Sequence, residues 1–301
     1  MPITLHPMTR RGFLRLSFAS AAALALSDEI SQGAPTSDPH RLALLSDVHI
    51  AADRSAHERG TVMFDNLVQA RAEVLALEPA PAAVFINGDC AYHNGEAGDY
   101  ETLLRLLQPI RERGLPLHLS MGNHDNREHL WKSIPDIEVH AGGMDDRQVM
   151  IVECERANIF MLDSLQKTNF TPGALGEKQL HWLCSALDAR QQRPAIVMVH
   201  HQPDQSEKPS GLTDTKALLD ALLPRRNVKA LFYGHTHHWE VSQREQMHCV
   251  NLPAVAYVFK AGDPSGWVDA QLRESGMRIE LRCLDKSHPK NGETFDLTWR
   301  A

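Results

Sequence analysis

Five short segments of this chain each deliver carboxylate, imidazole or carboxamide groups. They are Asp47-Val48-His49, Asn87-Gly88-Asp89, Gly122-Asn123-His124-Asp125, His200-His201-Gln202-Pro203 and Gly234-His235-Thr236-His237. None of the five contains Lys or Arg. Oxygen and nitrogen donors that converge without a cationic side chain need positive charge from elsewhere, and a metal ion supplies it. A donor set of few carboxylates and several imidazoles suits Mn, Fe or Zn better than Ca or Mg. Singly the segments say little: Asp-x-His is frequent by chance, Gly-Asp is a common turn, and Asn in a Gly-bearing loop often bonds its own backbone. Gly234-His235-Thr236-His237 is the most telling, since two histidines one residue apart at a strand end can address two adjacent ions. All five in this order make a much stronger signal than any one.

What positions them is a run of strands. The stretch 42–46 (LALLS) is a short apolar run and reads as a buried strand, as do 82–87 (AAVFIN), 115–121, 195–199 (AIVMV) and 228–233. Each of the five segments directly follows one of these runs. Between them, 57–77 carries apolar residues at helical spacing and stops before Pro79, 100–113 ends at Gly114, and 175–187 and 213–223 are further helices. The runs 148–154 and 157–162 read as an antiparallel pair. From residue 240 onward only short strands are expected, at 247–252, 255–259, 268–272, 277–283 and 294–299, suggesting a second sheet. Strands alternating with helices imply parallel pairing, and ligands in such folds sit beyond the carboxyl ends of the strands. No repeat or linker interrupts residues 41–301, so one domain with two sheets is expected there.

The 301 residues carry a net charge of −7 with His neutral, 43% hydrophobic and 23% charged residues, which is ordinary globular composition. No basic footprint for nucleic acid exists at the level of the whole chain, and no nucleic-acid partner is expected. No apolar run reaches the ~20 residues of a membrane span. The five cysteines (90, 154, 184, 249 and 283) are scattered, with no C-x-x-C, which excludes a disulfide framework and a cysteine zinc site. The first 34 residues read as an address and short linker: Arg10-Arg11 with Phe13-Leu14, then a small-residue apolar stretch at 16–26. The pair resembles the twin-arginine export motif, which implies a periplasmic or secreted protein folded before export. Cleavage after Ala25 or after Ala34 both fit. The Ala-rich stretch makes a poor membrane anchor.

The ordered set D-x-H, G-D, G-N-H-D, H-H-x-P, G-H-x-H resembles the calcineurin-like metallophosphoesterases, over essentially all of residues 41–301. The segment 173–183 is similar to the G-x-L-x-x-x-Q-L-x-W-L helix of many members. Within the family the closest branch is that of class III cyclic-nucleotide phosphodiesterases and glycerophosphodiesterases. The resemblance implies a four-layer α/β/β/α sandwich, with two mixed sheets flanked by helices. It implies two metal ions, one on Asp47, His49, Asp89 and His237 and the other on Asp89, Asn123, His200 and His235, with Asp89 bridging. It also implies hydrolysis of a phosphoester by hydroxide held between the ions, with His124 protonating the leaving alkoxide and Asp125 orienting His124. His201 competes with His200 as ligand. Gln202 stands where members often have the first of two prolines, which alters the rim. The expected substrate is a small phosphodiester, such as a cyclic nucleotide or a glycerophosphodiester. A broad phosphomonoesterase and a non-catalytic metal-binding protein are the competing readings. Dimerisation through the C-terminal strands is conceivable, and nothing in residues 240–301 requires it.

Overall fold

The computed structural model describes residues 3–5, 37–134 and 144–301. The expected export leader therefore lies outside the described residues, apart from the backbone of Ile3–Leu5. The strands are β1 (Ile3–Leu5), β2 (Ser37–Leu45), β3 (His57–Glu58), β4 (Thr61–Val62), β5 (Ala80–Asn87), β6 (Leu117–Ser120), β7 (Met150–Glu153), β8 (Asn158–Met161), β9 (Ala195–Met198), β10 (Val228–Tyr233), β11 (Glu240–Arg244), β12 (Met247–Asn251), β13 (Gly266–Arg273), β14 (Gly276–Cys283) and β15 (Thr294–Thr298). The helices are α1 (Met63–Leu75), α2 (Ala97–Glu112), α3 (Arg127–Ser133), α4 (Glu177–Asp188) and α5 (Thr215–Leu222).

Two mixed sheets form. One runs β1-β6-β5-β2-β13-β14-β15 and the other β11-β12-β10-β9-β8-β7. Within them β2, β5 and β6 are parallel, as are β8, β9, β10 and β12. Side-chain alternation explains the layering. Leu42, Leu44 and Phe85 of the first sheet join Ile159, Met161, Ile196, Met198 and Phe232 of the second in one core between the sheets. Their neighbours Ala43, Leu45, Val84 and Ile86 face α1 and α2, through Leu67, Val74, Leu103 and Leu107. Phe160, Val197 and Leu231 face α4 and α5, through Leu183, Leu187, Leu218 and Leu222. The result is helices, sheet, sheet, helices, the four-layer order expected. Strands covered on both faces read as unbroken apolar runs, which is why LALLS and AIVMV show no polar alternation.

Three local expectations differ from the structure. The tail does not make a sheet of its own: β11 and β12 extend the second sheet, whereas β13–β15 extend the first beside β2. The stretch 57–77 opens as a tight hairpin, β3–β4, and α1 starts only at Met63. Arg59 and Gly60 have φ of 51° and 80° at its tip, as a type I′ turn requires. Residues 255–259 are not a strand. The amides of Val255 and Ala256 bond the carbonyls of Ser46 and Asp47, while their own carbonyls accept from Asn66, so this backbone serves the loop after β2. Among the described residues no helix is long and apolar enough to cross a membrane.

Candidate metal centre

The parallel strands end on one side of the molecule, and their loops keep pairing beyond the sheet. The amides of Asp47, His49 and Ile50 bond the carbonyls of Gly88, Asp89 and Cys90 at 2.9–3.2 Å, which fixes Asp47 and His49 against Asp89. Asp47, His49, Asp89, His93, His235 and His237 all have φ between 46° and 68°. Non-glycine residues adopt this left-handed conformation at a cost, and such residues gather where surrounding structure holds them for function. Gly122 is required for a different reason: a Cβ there would strike the carboxylate and amide of Asp89.

The fold brings together six of the residues expected as ligands, and the seventh, Asn123, lines the same cavity as Asp89, His235 and His237. Asp47, His49 and His237 form one set of mutually close donor atoms and Asp89, His200 and His235 another, while His49 and Asp89 also approach His124. Asp89 lies between the sets, its Oδ2 3.5 Å from His49 Nε2 and 3.3 Å from His200 Nε2. Backbone carbonyls fix which ring nitrogen is free. His237 Nδ1 bonds Tyr257 O at 2.6 Å, His200 Nδ1 bonds Asn87 O at 3.0 Å, and His235 Nε2 bonds Ser210 O at 3.1 Å. The other nitrogen of each turns toward the carboxylates and offers a lone pair once the ring is neutral, the arrangement typical of metal-ligating histidines. Asn123 Oδ1 is buried with no hydrogen-bond partner among the described residues. Buried polar atoms are rarely left so. Lone pairs converging on two carboxylates fit cations, and divalent ions of the Mn, Fe or Zn type match this donor set.

Protonation states sharpen the fit. Burial, with the nearby His237, holds His49 down to about 3, and burial, with the nearby His200, holds His235 down to about 4, so both are neutral at pH 7. His200 goes the other way: burial opposes its charge, but Asp89 and Asp47 push it up to about 10. Burial opposes ionisation of Asp89 too, yet His200 and His49 hold its carboxyl well below the usual range. In the metal-free protein His200 thus carries a proton that a cation must displace. Titrating the stripped protein with Zn(II) at about pH 6, below where bound water ionises, should release about one proton from His200. Calorimetry in buffers of differing ionisation enthalpy reads this directly; a release near zero would mean that His200 is neutral or not displaced.

The choice between the adjacent histidines follows from their bonds. His201 has both nitrogens engaged, Nδ1 with Ser164 Oγ at 2.7 Å and Nε2 with Thr171 O at 2.9 Å, so it has no free donor. His124 is held by its Nδ1 on His93 O at 2.9 Å, and its amide donates to Asp89 Oδ1 at 2.9 Å. Here the expectation for Asp125 is corrected. Asp125 does not orient His124; the carbonyl of His93 does. Asp125 is fully buried and accepts from the amides of Gly122 (2.9 Å), Cys90 (3.1 Å) and Ala91 (3.0 Å) and from Tyr100 Oη (3.1 Å). It therefore braces the backbone that carries Asp89. Burial and the charge of Asp89 push its carboxyl up to about 6, against those amides. Sequence reasoning missed Tyr257 and His93 as supports because backbone carbonyls leave no mark in residue type.

Asp89, Asn123, His124, His235 and His237 open into a cavity of about 400 Å³, whose other walls include Thr171, Gln202, Ser210 and Phe259. A sequence profile of calcineurin-like phosphoesterases matches residues 40–239, which spans all five segments. The chain belongs to the calcineurin-like phosphoesterases. It is a metal-dependent phosphoesterase. The cyclic adenosine monophosphate phosphodiesterase CpdA of Pseudomonas aeruginosa is 27% identical over 232 residues, covering 76% of this chain and 80% of that one. A probable cyclic nucleotide phosphodiesterase of Rhodopseudomonas palustris is 31% identical over 204 residues, 65% of this chain and 71% of its own. Among solved structures, a dimetal phosphatase from Danio rerio superposes with a TM-score of 0.67 at 16% identity, covering 87% of this chain and 99% of the other. At that identity the match concerns the fold. Gln202, the departure from the usual proline, lies in the cavity wall of this phosphoesterase, and its carbonyl accepts from Leu212.

Proposed function

We propose that this phosphoesterase hydrolyses a small phosphodiester, a cyclic nucleotide or a glycerophosphodiester, with Asp47, His49, Asp89 and His237 holding one metal ion and Asp89, Asn123, His200 and His235 a second. The observation that carries the reading is His124 in the cavity wall, anchored through Nδ1 and adjoining both donor sets. With Nδ1–H on the His93 carbonyl, the ring gives a proton from Nε2 to a departing alkoxide when it is in the imidazolium form and returns to the neutral Nδ1–H tautomer, a step needed most when the leaving group is poor. When bound, the ions supply Lewis-acid charge and an activated water. Among the described residues lining the cavity there is no Lys or Arg. A diester, with one negative charge, asks less of such walls than a dianionic monoester does. Relatives named as cyclic nucleotide phosphodiesterases support the same reading.

The test is hydrolysis of matched mono- and diesters of p-nitrophenol by stripped protein reconstituted with Mn(II), Fe(II) or Zn(II). Diester cleavage should exceed monoester cleavage at least about tenfold, a barrier difference of about 1.4 kcal/mol. Monoester preference would turn the reading to a phosphatase, and bound metal without turnover would turn it to a binding protein.

A further inference from the structure

Among the described residues only two large apolar side chains stand out into solvent, Phe170 at 46% and Phe259 at 48% exposure. Isolated exposed apolar residues need no explanation, but both of these lie on segments that reach the centre. Phe259 lines the cavity, and Phe170 immediately precedes Thr171, which lines it too. Each is held there. Asn169, at φ 57°, donates its amide to Asn123 O at 2.6 Å, Thr168 Oγ1 donates to Asp125 O at 2.8 Å, and Thr171 O accepts from His201. The loop that presents Phe170 is thus bonded onto the loops of the centre itself. Phe259 stacks on His237, ring centroids 4.1 Å apart and planes 21° from parallel. The guanidinium of Arg59 lies 5.1 Å from the centre of the Phe259 ring. Arg59 sits at the tip of the β3–β4 hairpin, which Tyr92 secures by donating from Oη to Glu58 at 3.0 Å.

We propose that Phe170, Phe259 and Arg59 form a rim that reads the nucleobase of a nucleotide substrate whose phosphate occupies the centre. This rests on the phosphodiesterase reading above and selects within it. Aromatic rings and guanidinium planes are the surfaces on which bases stack, and a flat neutral base suits both. An aromatic rim also attracts quaternary ammonium groups, so a choline-bearing glycerophosphodiester is the competitor. The fixed positive charge of Arg59 against Phe259 works against that cation and not against a base. A glycerol or ethanolamine moiety offers no face to stack.

Two measurements on the metal-reconstituted full chain test this. The first is binding of adenosine 5′-monophosphate against ribose 5-phosphate, by calorimetry. The base should tighten binding roughly tenfold, Phe170→Ala should erase most of that difference, and Phe170→Trp should keep it. The second is the ratio of kcat/KM for 3′,5′-cyclic adenosine monophosphate to that for glycerophosphoglycerol. That ratio should fall roughly tenfold in Phe170→Ala and recover in Phe170→Trp. A variant that loses both activities in equal proportion has only a structural role there, which overturns the proposal, as does equal binding of nucleotide and ribose phosphate by the unaltered protein. Diester cleavage without discrimination for the base sinks this inference and leaves the phosphodiesterase reading. Discrimination for the base without diester cleavage sinks that reading instead. Tighter use of glycerophosphocholine than of cyclic nucleotide would assign the rim to a cation and overturn the proposal.

Discussion

Replacing His124 with Ala should slow cleavage of a diester with an alkoxide leaving group by about 10²- to 10⁴-fold, the usual worth of a positioned general acid. The same change should slow cleavage of a p-nitrophenyl diester by less than about tenfold, because p-nitrophenolate leaves without a proton. His124 Nδ1 is committed to the carbonyl of His93, so only Nε2 can serve the cavity that the ring lines. The competing role is that of a ligand, since a ring nitrogen of His124 approaches those of His49 and the carboxylate of Asp89. A ligand's loss would depress both substrates alike and lower metal content. Rates on the two leaving groups, with metal counted by elemental analysis, separate the roles. Equal losses on both substrates would remove His124 as the acid.

Much of the centre was legible because its residues follow apolar runs that can only be buried strands. Asp47, Asp89, Asn123, His200 and His235 each stand at the exit of β2, β5, β6, β9 or β10, where the strand's hydrogen bonding fixes the backbone and the next residues must face the same end. The four layers were legible for a related reason, since runs such as LALLS need cover on both faces. What escaped was long-range or carried by backbone. The division of the tail between two sheets depends on β13 pairing with β2 more than two hundred residues earlier, and no local pattern encodes that choice. β11 escaped because it is an edge strand with four of its five residues exposed, so it has no apolar periodicity to read. Residues 255–259 have the composition of a strand, yet their hydrogen bonds go to Ser46, Asp47 and Asn66 and their Tyr257 carbonyl to His237. Asp125 was recognised as part of the site, but its role was misassigned. Adjacency to His124 suggests a partner for that ring, whereas the side chain turns inward.

That inward turn makes Asp125 the place where stability and site geometry meet. Asp125→Ala should destabilise the protein by about 3–5 kcal/mol, since three buried amides and the Tyr100 hydroxyl lose their acceptor together and each unsatisfied group costs about 1–3 kcal/mol before relaxation. Asp125→Asn should cost less, because one oxygen still accepts while the amide nitrogen opposes its former donors. The pH dependence has a definite sign. The carboxyl is raised to about 6 in the folded metal-free protein, so between its unfolded value near 4 and about 6 the folded state holds the extra proton. The group's contribution is then complete below about pH 4 and declines as pH rises through 6. The stability gap between the unaltered protein and Asp125→Ala should therefore be widest in acid and narrow toward neutrality. Urea denaturation of both metal-free proteins at pH 4.5 and pH 7 measures it. A gap that widened toward neutrality would mean that the ionised carboxylate is the form the folded chain prefers. The backbone of Cys90 and Ala91 would then be held by a full charge rather than by a carboxyl poised to take up a proton.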